Sequence, residues 1–336
     1  AETATLLQPA DSLKGLDLLV RDIDFIDFNF QRTLPHKFSQ YGPALATADV
    51  NGDGYTDLFV PGTRSFPETW LLQQADGSFQ KQEVRYKEGE GYEEDTAALL
   101  FDADGDGDPD LYLGRGSAQY PAGDPLYRDR LLVNDGKGNF TMAETALPAI
   151  MANTSVVKAA DVDQDGDLDL FVGSRVLPRA YPKADRTYLL RNDSRDGAVR
   201  FTDITGEAAP LLAYAGLVSD ALWTDFNGDS WPDLMLAAEW SPLRFFVNRE
   251  GQLAEITERT GLDGDLGWWN SLAAADLDND GDMHYIAGNS GSNLFFRGVP
   301  EEPVRIYAKD LDNNGMIDPL ISYYLRDSIG VKREYL

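Results

Sequence analysis

Six stretches of nine residues repeat oxygen-bearing side chains at positions 1, 3 and 5, five of the six also have one at position 9, and five have glycine at position 6. They read DVNGDGYTD (49–57), DADGDGDPD (102–110), DVDQDGDLD (161–169), DFNGDSWPD (225–233), DLDNDGDMH (276–284) and DLDNNGMID (310–318). These 54 positions hold 23 of the 57 acidic residues. Asp-Gly pairs also favour ordinary turns, but turn propensity alone does not explain six copies with the same spacing.

This spacing suits a hard cation. Ca²⁺ takes six to eight oxygens at about 2.3–2.6 Å, whereas Mg²⁺ tends to keep its waters. Glycine at position 6 permits the sharp bend, and the carbonyl of position 7 can add one more oxygen. The predicted calcium ligands are Asp49, Asn51, Asp53, Tyr55 and Asp57; Asp102, Asp104, Asp106, Asp108 and Asp110; Asp161, Asp163, Asp165, Asp167 and Asp169; Asp225, Asn227, Asp229, Trp231 and Asp233; Asp276, Asp278, Asp280 and Asp282; and Asp310, Asp312, Asn314, Met316 and Asp318.

The six loops are not equivalent. His284 replaces the closing aspartate of the fifth loop, and imidazole is a poor ligand for a hard cation. Ser230 replaces glycine in the fourth loop, and Asn314 replaces aspartate in the sixth. We therefore expect up to six ions, the best binding in the first three loops and the weakest at the loop that ends at His284.

The loops differ from EF-hands, which need Glu at position 12 and an exiting helix. Position 12 is apolar in all six copies, and β-prone residues follow position 8, as in DLFVPG and DLYLG. Each loop is therefore predicted to lead from one strand into another.

The segments between the loops share a plan of four antiparallel strands. In the third unit, SVVKAADV (155–162) precedes the loop, and TYLLRND (187–193) and VRFTDIT (199–205) follow it around a glycine-bearing turn, which is a hairpin signal. Repeated four-stranded units predict an all-β fold, a β-propeller for which we expect seven blades. A sandwich also uses short strands, but it does not need identical units.

The domain prediction is an N-terminal lead-in over residues 1–21 and a single propeller over 22–336. Residues 17–30 are expected to form an incoming outer strand. The sixth unit stops soon after PLISYYL (319–325), so we expect the propeller to be incomplete at its C-terminal end. The chain opens on AETATLL without Met or a leader, which predicts a processed or partial sequence.

Composition excludes several classes of protein. The chain has 336 residues, a formal net charge of −28 and no cysteine, so disulfides and thiolate sites are absent. The acidity argues against nucleic acid as a partner. No apolar run approaches the roughly 18 residues of a membrane helix, so no direct membrane span is expected.

The face opposite the loops is predicted to carry the long connections between blades. Despite the overall acidity, these connections are rich in arginine and aromatic residues, which are common binding anchors. The alternative is that the same residues brace neighbouring blades. The candidates for this face are Arg115, Tyr120, Tyr127, Arg128, Arg175, Arg179, Tyr181, Arg186, Trp240, Trp268 and Trp269.

The residues favour a non-enzymatic protein. His36 and His284 are the only histidines, and His284 lies inside a loop, so a Ser-His-Asp site could only use His36; the alternative is a turn residue after Pro35. There is no P-loop and no HExxH motif. Paired carboxylates and a calcium-dependent polysaccharide lyase remain open.

The loops at 49, 102 and 161 resemble the FG-GAP/VCBS repeats of calcium-loop propellers, which are also found in integrin alpha chains. Segments such as SDALWTDFNGDSWPDL and GWWNSLAAADLDNDGD are more specifically similar to large VCBS-repeat proteins of Bacteroidota, relatives of the cartilage acidic protein group. The resemblance covers about residues 22–325. It implies a secreted or surface lipoprotein, anchored through sequence outside this segment, and carries over metal positions only.

The resemblance also implies a place beside TonB-dependent transporters of the SusC/SusD kind. The main expectation is a calcium-stabilised binding scaffold on the bacterial surface that docks a protein or glycan opposite the loops. The alternatives are a carbohydrate-binding or lyase propeller and an integrin-like adhesin.

Overall fold

The computed structural model describes residues 14–16, 18–42, 44–84, 94–296, 298–299 and 301–336. Most of the predicted lead-in and Asp17, where the predicted outer strand begins, lie outside the described residues.

The described residues form twenty-one strands, two short α-helices and four short 3-10 helices. The strands are β1 (Ala46–Ala48), β2 (Asp57–Val60), β3 (Thr69–Gln73), β4 (Phe79–Glu83), β5 (Asp95–Phe101), β6 (Asp110–Arg115), β7 (Arg130–Asn134), β8 (Phe140–Met142), β9 (Thr154–Ala160), β10 (Asp169–Ser174), β11 (Tyr188–Asn192), β12 (Phe201–Asp203), β13 (Leu217–Thr224), β14 (Asp233–Ser241), β15 (Arg244–Arg249), β16 (Gln252–Glu255), β17 (Gly267–Ala275), β18 (His284–Asn289), β19 (Arg305–Lys309), β20 (Asp318–Arg326) and β21 (Lys332–Tyr335). The helices are α1 (Thr205–Ala208) and α2 (Thr257–Thr260), and the 3-10 helices are Asp27–Asn29, Pro125–Tyr127, Pro210–Leu212 and Gly291–Asn293.

The first four units follow the predicted plan of four strands. Strands β1 to β4, β5 to β8 and β9 to β12 each make a four-stranded antiparallel sheet in sequence order, and β13 to β16 pair in the same way. Every aspartate loop of these units joins a first strand to a second strand, as expected from its apolar exit. The prediction of an all-β repeat fold is therefore confirmed.

The hydrophobic core lies between successive sheets. Phe59 and Trp70 of the first sheet pack in one cluster with Leu111 and Leu113 of the second. The second and third sheets share another cluster, and the third and fourth share a third one. The middle strand β10 is buried along its whole length, because it has a neighbouring sheet on both faces. This stacking is propeller-like.

The first strands lie together at the inner side of the sheets. Strand β1 contacts β5, β5 contacts β9, β9 contacts β13, and β13 contacts β17. Small residues such as Ala97, Ala98 and Ala159 occupy these strands, and they allow the backbones to approach closely. Each sheet formed by the described strands is open, with two edge strands. These sheets do not determine the number of blades.

The last two units depart from the plan. In the fifth unit, β17 pairs with β18 and also with the end of β14, so the fourth and fifth units share hydrogen bonds. The sixth unit is the three-stranded sheet β19–β20–β21. Its loop does not share the face of the others, because Gln31 Nε2 donates to Ile317 O at 2.8 Å and also to Tyr181 O, in a connection on the opposite face. Between β18 and β19 the described residues form no strand, only a 3-10 helix and an isolated antiparallel bridge between Val299 and Glu302.

The predicted outer strand at residues 17–30 is wrong for its described part. Residues 18–26 form no strand, and Asp27–Asn29 is a 3-10 helix. The buried Asp27 carboxylate accepts hydrogen bonds from the backbone N–H of Phe38 and of Ser39, both at 3.1 Å. Asp27 thus bonds to the turn that follows it along the chain, and the segment does not pair with a sheet. It lies on the opposite face, where Gln31 contacts Tyr181.

Candidate functional site

Each aspartate loop is folded by its own carboxylates. In the second loop, Asp102 accepts hydrogen bonds from the N–H of Gly105 at 2.8 Å and of Gly107 at 3.0 Å. Asp106 Oδ1 accepts one from Asp108 N at 2.9 Å. The bond from position 7 to position 5 recurs in all six loops. Positions 1 and 5 therefore bend the backbone, in addition to any role as ligands.

The ninth residue ties the loop to the sheet. Asp110 Oδ2 accepts from Ala103 N at 2.9 Å, and its Oδ1 accepts from Asn134 N on the third strand at 2.8 Å. Asp169 repeats both bonds, to Val162 N and Asn192 N. These two carboxylates are 0% and 1% exposed. Such buried carboxylates need their hydrogen bonds to offset the loss of water.

Positions 1, 3 and 9 converge in four of the loops. Each offers one ligand atom within 4.8 Å of the others in the group. The groups are Asp102, Asp104 and Asp110; Asp161, Asp163 and Asp169; Asp310, Asp312 and Asp318; and Asp276, Asp278 and His284. Three carboxylates this close repel one another, so a divalent cation between them would relieve the repulsion and supply a common partner.

The third loop gives the clearest fit to a metal ion. Asp163 Oδ1 is buried and has no hydrogen-bond partner among the described residues. Burial raises the pKa of Asp163, and it raises the pKa of Asp169 to about 7. Both shifts mean that hydrogen bonds only partly offset the burial of the ionised carboxylates, and a bound cation would offset more of it. Hard oxygen donors of this kind fit Ca²⁺.

The first, fourth and fifth loops fit a metal less well. Position 3 is an asparagine in the first and fourth loops, so these two loops have an amide where the second and third loops have a carboxylate. In the fourth loop, Asn227 Nδ2 donates to Asp233 Oδ1 at 3.4 Å. In the fifth loop, His284 Nδ1 accepts from Leu277 N at 3.5 Å, so the imidazole takes over the backbone bond of the missing aspartate. The expected order of calcium affinity among the loops therefore stays a prediction. The geometry of the second and third loops suits a metal ion best.

Asparagines at the end of the third strands bond to the aspartate loops, and the sequence did not lead us to predict this role. Asn192 Nδ2 donates to Ala103 O at 3.0 Å, and Asn248 Nδ2 donates to Val162 O at 2.8 Å. Asn134 makes the same bond to the first loop. Each asparagine thus joins its sheet to the aspartate loop of the preceding sheet. Their common place in LVND, LLRND and FVNRE was a signal in the sequence.

The hairpin turns between the third and fourth strands lie beside the aspartate loops. A Cβ atom added to Gly136 would lie 2.2 Å from Asp108 Oδ2, and one added to Gly251 would lie 3.3 Å from Asp163 Cβ. These contacts place the loops and turns of the described units two to four on one face, which we call the loop face. The long connections between sheets lie on the opposite face.

A buried ionic cluster organises the opposite face. Arg175 donates from Nε and Nη2 to Glu239 Oε1, at 3.0 and 2.5 Å. His36 Nε2 lies 3.3 Å from Glu239 Oε2, and Tyr41 Oη lies 2.7 Å from His36 Nδ1. The Arg175 guanidinium lies 3.9 Å from the centre of the Tyr41 ring. His36 is therefore part of this cluster and not only a turn residue, while Glu239 and Tyr41 were missed because distant segments bring them together.

Most predicted residues of the opposite face have partners within the protein. The prediction that Tyr127 and Tyr181 are surface anchors is wrong, because they are 1% and 0% exposed. The Tyr127 hydroxyl donates to Ser117 O, and the Tyr181 hydroxyl accepts from Trp240 Nε1. The remaining contacts are Arg115 with Asp95, Arg64 over Tyr120, Arg128 to Glu144 O, Arg179 to Gln119 O, Arg186 with Asp203, Trp240 to Tyr181, Trp268 beside His36 and Trp269 to Asp265 O. Some of these contacts lie within one unit, as for Arg115, Arg128, Arg186 and Trp269, and the others join neighbouring connections, as for Tyr120, Arg179, Trp240 and Trp268.

The fold and the loops together define a propeller-like repeat protein with aspartate-lined turns. The model of the FG-GAP-like repeat matches residues 49–113, 102–172 and 225–287, together more than half of the chain, and the chain belongs to this family. Each match begins at the first aspartate of a loop and ends in the second strand of a following unit.

The other comparisons add little. No curated protein matches the chain. One similar solved structure is the "putative exo-beta-1,3-galactanase from Bifidobacterium bifidum s17", with 11% identity and a TM-score of 0.40 over 87% of this chain and 90% of that chain. A score this low supports no conclusion about function. Within the described part of the chain, no helix has the length and apolar character needed to cross a membrane.

Proposed function

We propose that this protein is a calcium-stabilised β-propeller that serves as a non-enzymatic binding scaffold. The observation that carries the proposal is the convergence of three carboxylates in the second and third loops, with Asp163 Oδ1 buried and unpartnered within the described structure. A bound Ca²⁺ would be held by the residues at positions 1, 3 and 9, and it would neutralise their charge.

The loops lie where a bound ion would act on contacts within a sheet and between neighbouring sheets. Asp169 joins its loop to the third strand, and Asn248 joins the same loop to the next sheet. An ion that binds this arrangement but not the unfolded chain stabilises the folded state. Extracellular modules commonly bind calcium at about 10⁻⁴–10⁻³ M, which suits a protein that works outside the cell.

We extend the proposal to a closed ring of seven blades on a bacterial surface, lipid-anchored through sequence outside this segment. The succession of first-strand contacts from β1 to β17 supports a ring. The partner is a protein or glycan that docks on the opposite face, and a SusC/SusD-type TonB-dependent uptake complex is the proposed setting. The resemblance to surface proteins of Bacteroidota supports this setting.

Two measurements test the proposal. Metal analysis of protein dialysed against calcium should find bound Ca²⁺, and the thermal midpoint should fall on addition of EDTA. A pull-down from detergent-solubilised membranes in calcium buffer should then retain a transporter or another surface partner. A melt that EDTA leaves unchanged, with no bound metal, refutes the calcium role; a calcium-loaded protein that retains nothing refutes the scaffold role.

A further inference from the structure

The strongest unassigned feature is a cavity of about 290 Å³ on the opposite face, which we call the inner pocket. It lies where four consecutive first strands begin, and its lining includes Thr96, Ser155, Ser219 and Asn270 from β5, β9, β13 and β17. At a share of roughly 30 Å³ for each water, the inner pocket has room for about ten waters, or one six-membered sugar ring.

The first strands present their polar side chains to the inner pocket by a repeated irregularity. Thr96, Ser155 and Ser219 stand six residues before the first aspartate of their loops, and the pairing register shifts in the strand pairs β5–β6, β9–β10 and β13–β14. Each hydroxyl donates to a backbone carbonyl of the next first strand, at 2.5 to 2.7 Å, and also lies 3.0 to 3.4 Å from a carbonyl of the second strand of its own sheet. Since each proton is used in this way, the oxygen lone pairs are left to accept hydrogen bonds from a ligand.

Two further groups on the lining are left for a ligand. The side-chain hydrogen bonds that Arg175 makes with described residues leave from Nε and Nη2, and they leave Nη1 for the inner pocket. The Ser117 hydroxyl is buried and has no partner in the described structure. The Ser117 backbone also has φ +82°, a conformation that costs energy for a residue with a side chain.

The charge of the lining narrows the class of ligand. Among the described residues of the lining, Arg175 is the one cationic side chain, and Glu239 already neutralises it, so a phosphate or another dianion would gain little. The lining residues that the structure describes include no carboxylate, so they offer an amine or metal cation no counter-charge. Hydroxyls, amides and the rings of Phe38 and Tyr41 suit a neutral ligand with many hydroxyl groups.

We propose that the inner pocket binds one neutral sugar unit, either a free monosaccharide or the end of a glycan. This proposal names the ligand class for the opposite face and so rests on the proposed binding role, but it does not depend on calcium in the loops. Lone pairs of the three strand hydroxyls would accept from sugar hydroxyls, and Arg175 Nη1 and the Ser117 hydroxyl would donate to sugar oxygens.

The test is ligand-observed NMR and calorimetry on the whole chain, with methyl glycosides of common neutral hexoses and pentoses. We expect one of them to bind saturably, with a dissociation constant on the order of 1 mM. Glucuronate and inorganic phosphate serve as charged comparators and should bind more weakly. Competition by a polysaccharide that ends in the same sugar identifies a glycan terminus as the source, and lack of competition identifies the free sugar.

Ser117→Gly separates binding from folding. The variant removes the unpartnered hydroxyl and relieves the positive φ, so the thermal midpoint should be unchanged or higher while the affinity for the sugar falls about fivefold. Asp196→Gly is the matched control, because Asp196 has φ +55° in an exposed turn outside the inner pocket. It should leave sugar binding unchanged.

All titrations are repeated in EDTA to separate this proposal from the calcium role. Sugar binding in both buffers supports the inner pocket whatever the metal result. Absence of binding by every neutral sugar in calcium buffer, with the protein folded, overturns the proposal and leaves the calcium result standing. Equal affinity of the parent chain and Ser117→Gly, or tighter binding of phosphate than of any sugar, also overturns it.

Discussion

Replacing Asp163 by asparagine should change stability in opposite directions with and without calcium. Asp163 makes no hydrogen bond to described residues through its buried Oδ1, so Asp163→Asn replaces a charged metal ligand by a weaker, neutral one without breaking a bond of the fold. Asparagine also stands at position 3 of the first and fourth loops, which shows that the loop accepts an amide there.

In calcium, the variant should be less stable. With a dissociation constant of about 10⁻⁴ M, about 10 mM Ca²⁺ stabilises one site by about 2.7 kcal/mol. Weaker binding at the third site would therefore lower the thermal midpoint by at most about 5 °C, since 1 kcal/mol corresponds to about 2 °C in a chain of this size.

In EDTA, the same variant should be more stable. Burial raises the pKa of Asp163, so the folded state favours the neutral acid. The folded state therefore loses stability as the pH rises from the ordinary pKa of a carboxyl group to the raised pKa of Asp163. At neutral pH an amide avoids this cost, and the expected gain is about 1 kcal/mol, or about 2 °C.

The assay is a thermal melt of the parent chain and the variant in calcium and in EDTA at matched ionic strength, with metal analysis alongside. Asp263→Asn is the control, since it makes the same charge change at an exposed position outside the loops. A variant that melts with the parent chain in both buffers, or that binds calcium at every site with the affinity of the parent chain, would refute the assignment of Asp163 as a ligand.

Four further changes have defined outcomes. His284→Asp restores the closing aspartate of the fifth loop and should add one bound Ca²⁺ in metal analysis; an unchanged ion count would contradict this. Ser230→Gly removes a side chain from a residue with φ +70° and should raise the free energy of unfolding by about 0.5–1 kcal/mol in urea titration; a loss of stability would contradict it. Asn248→Ala leaves Val162 O without its partner and should cost about 1–3 kcal/mol in the same titration, whereas a neutral effect would show that the bond between sheets is dispensable. Burial raises the pKa of Glu94 to about 8, so the free-energy cost of ionising Glu94 in the folded protein grows as the pH rises from about 4.5 to 8. Glu94→Gln should therefore raise the thermal midpoint at pH 8.5 but not near pH 4.5, and equal effects at both pH values would refute this.

The sequence was sufficient for the repeated parts of the molecule. Aspartates at fixed spacing and apolar exits such as DLFV specify loops between strands, because those contacts form within about ten residues. Strand hydrogen bonding then follows from hairpin turns that are equally local. For this reason the four-stranded units and the convergence of positions 1, 3 and 9 could be predicted from the amino-acid sequence alone.

Contacts between distant segments were decided only by the tertiary structure. His36 and Glu239 are 203 residues apart, and no local pattern brings them beside Arg175. Gln31 and Ile317, which set the sixth loop on the opposite face, are 286 residues apart. The inner pocket likewise exists only where four separate first strands begin side by side. The physical reason is that these positions depend on how whole sheets pack, and packing energy is spread over many side chains instead of a short motif.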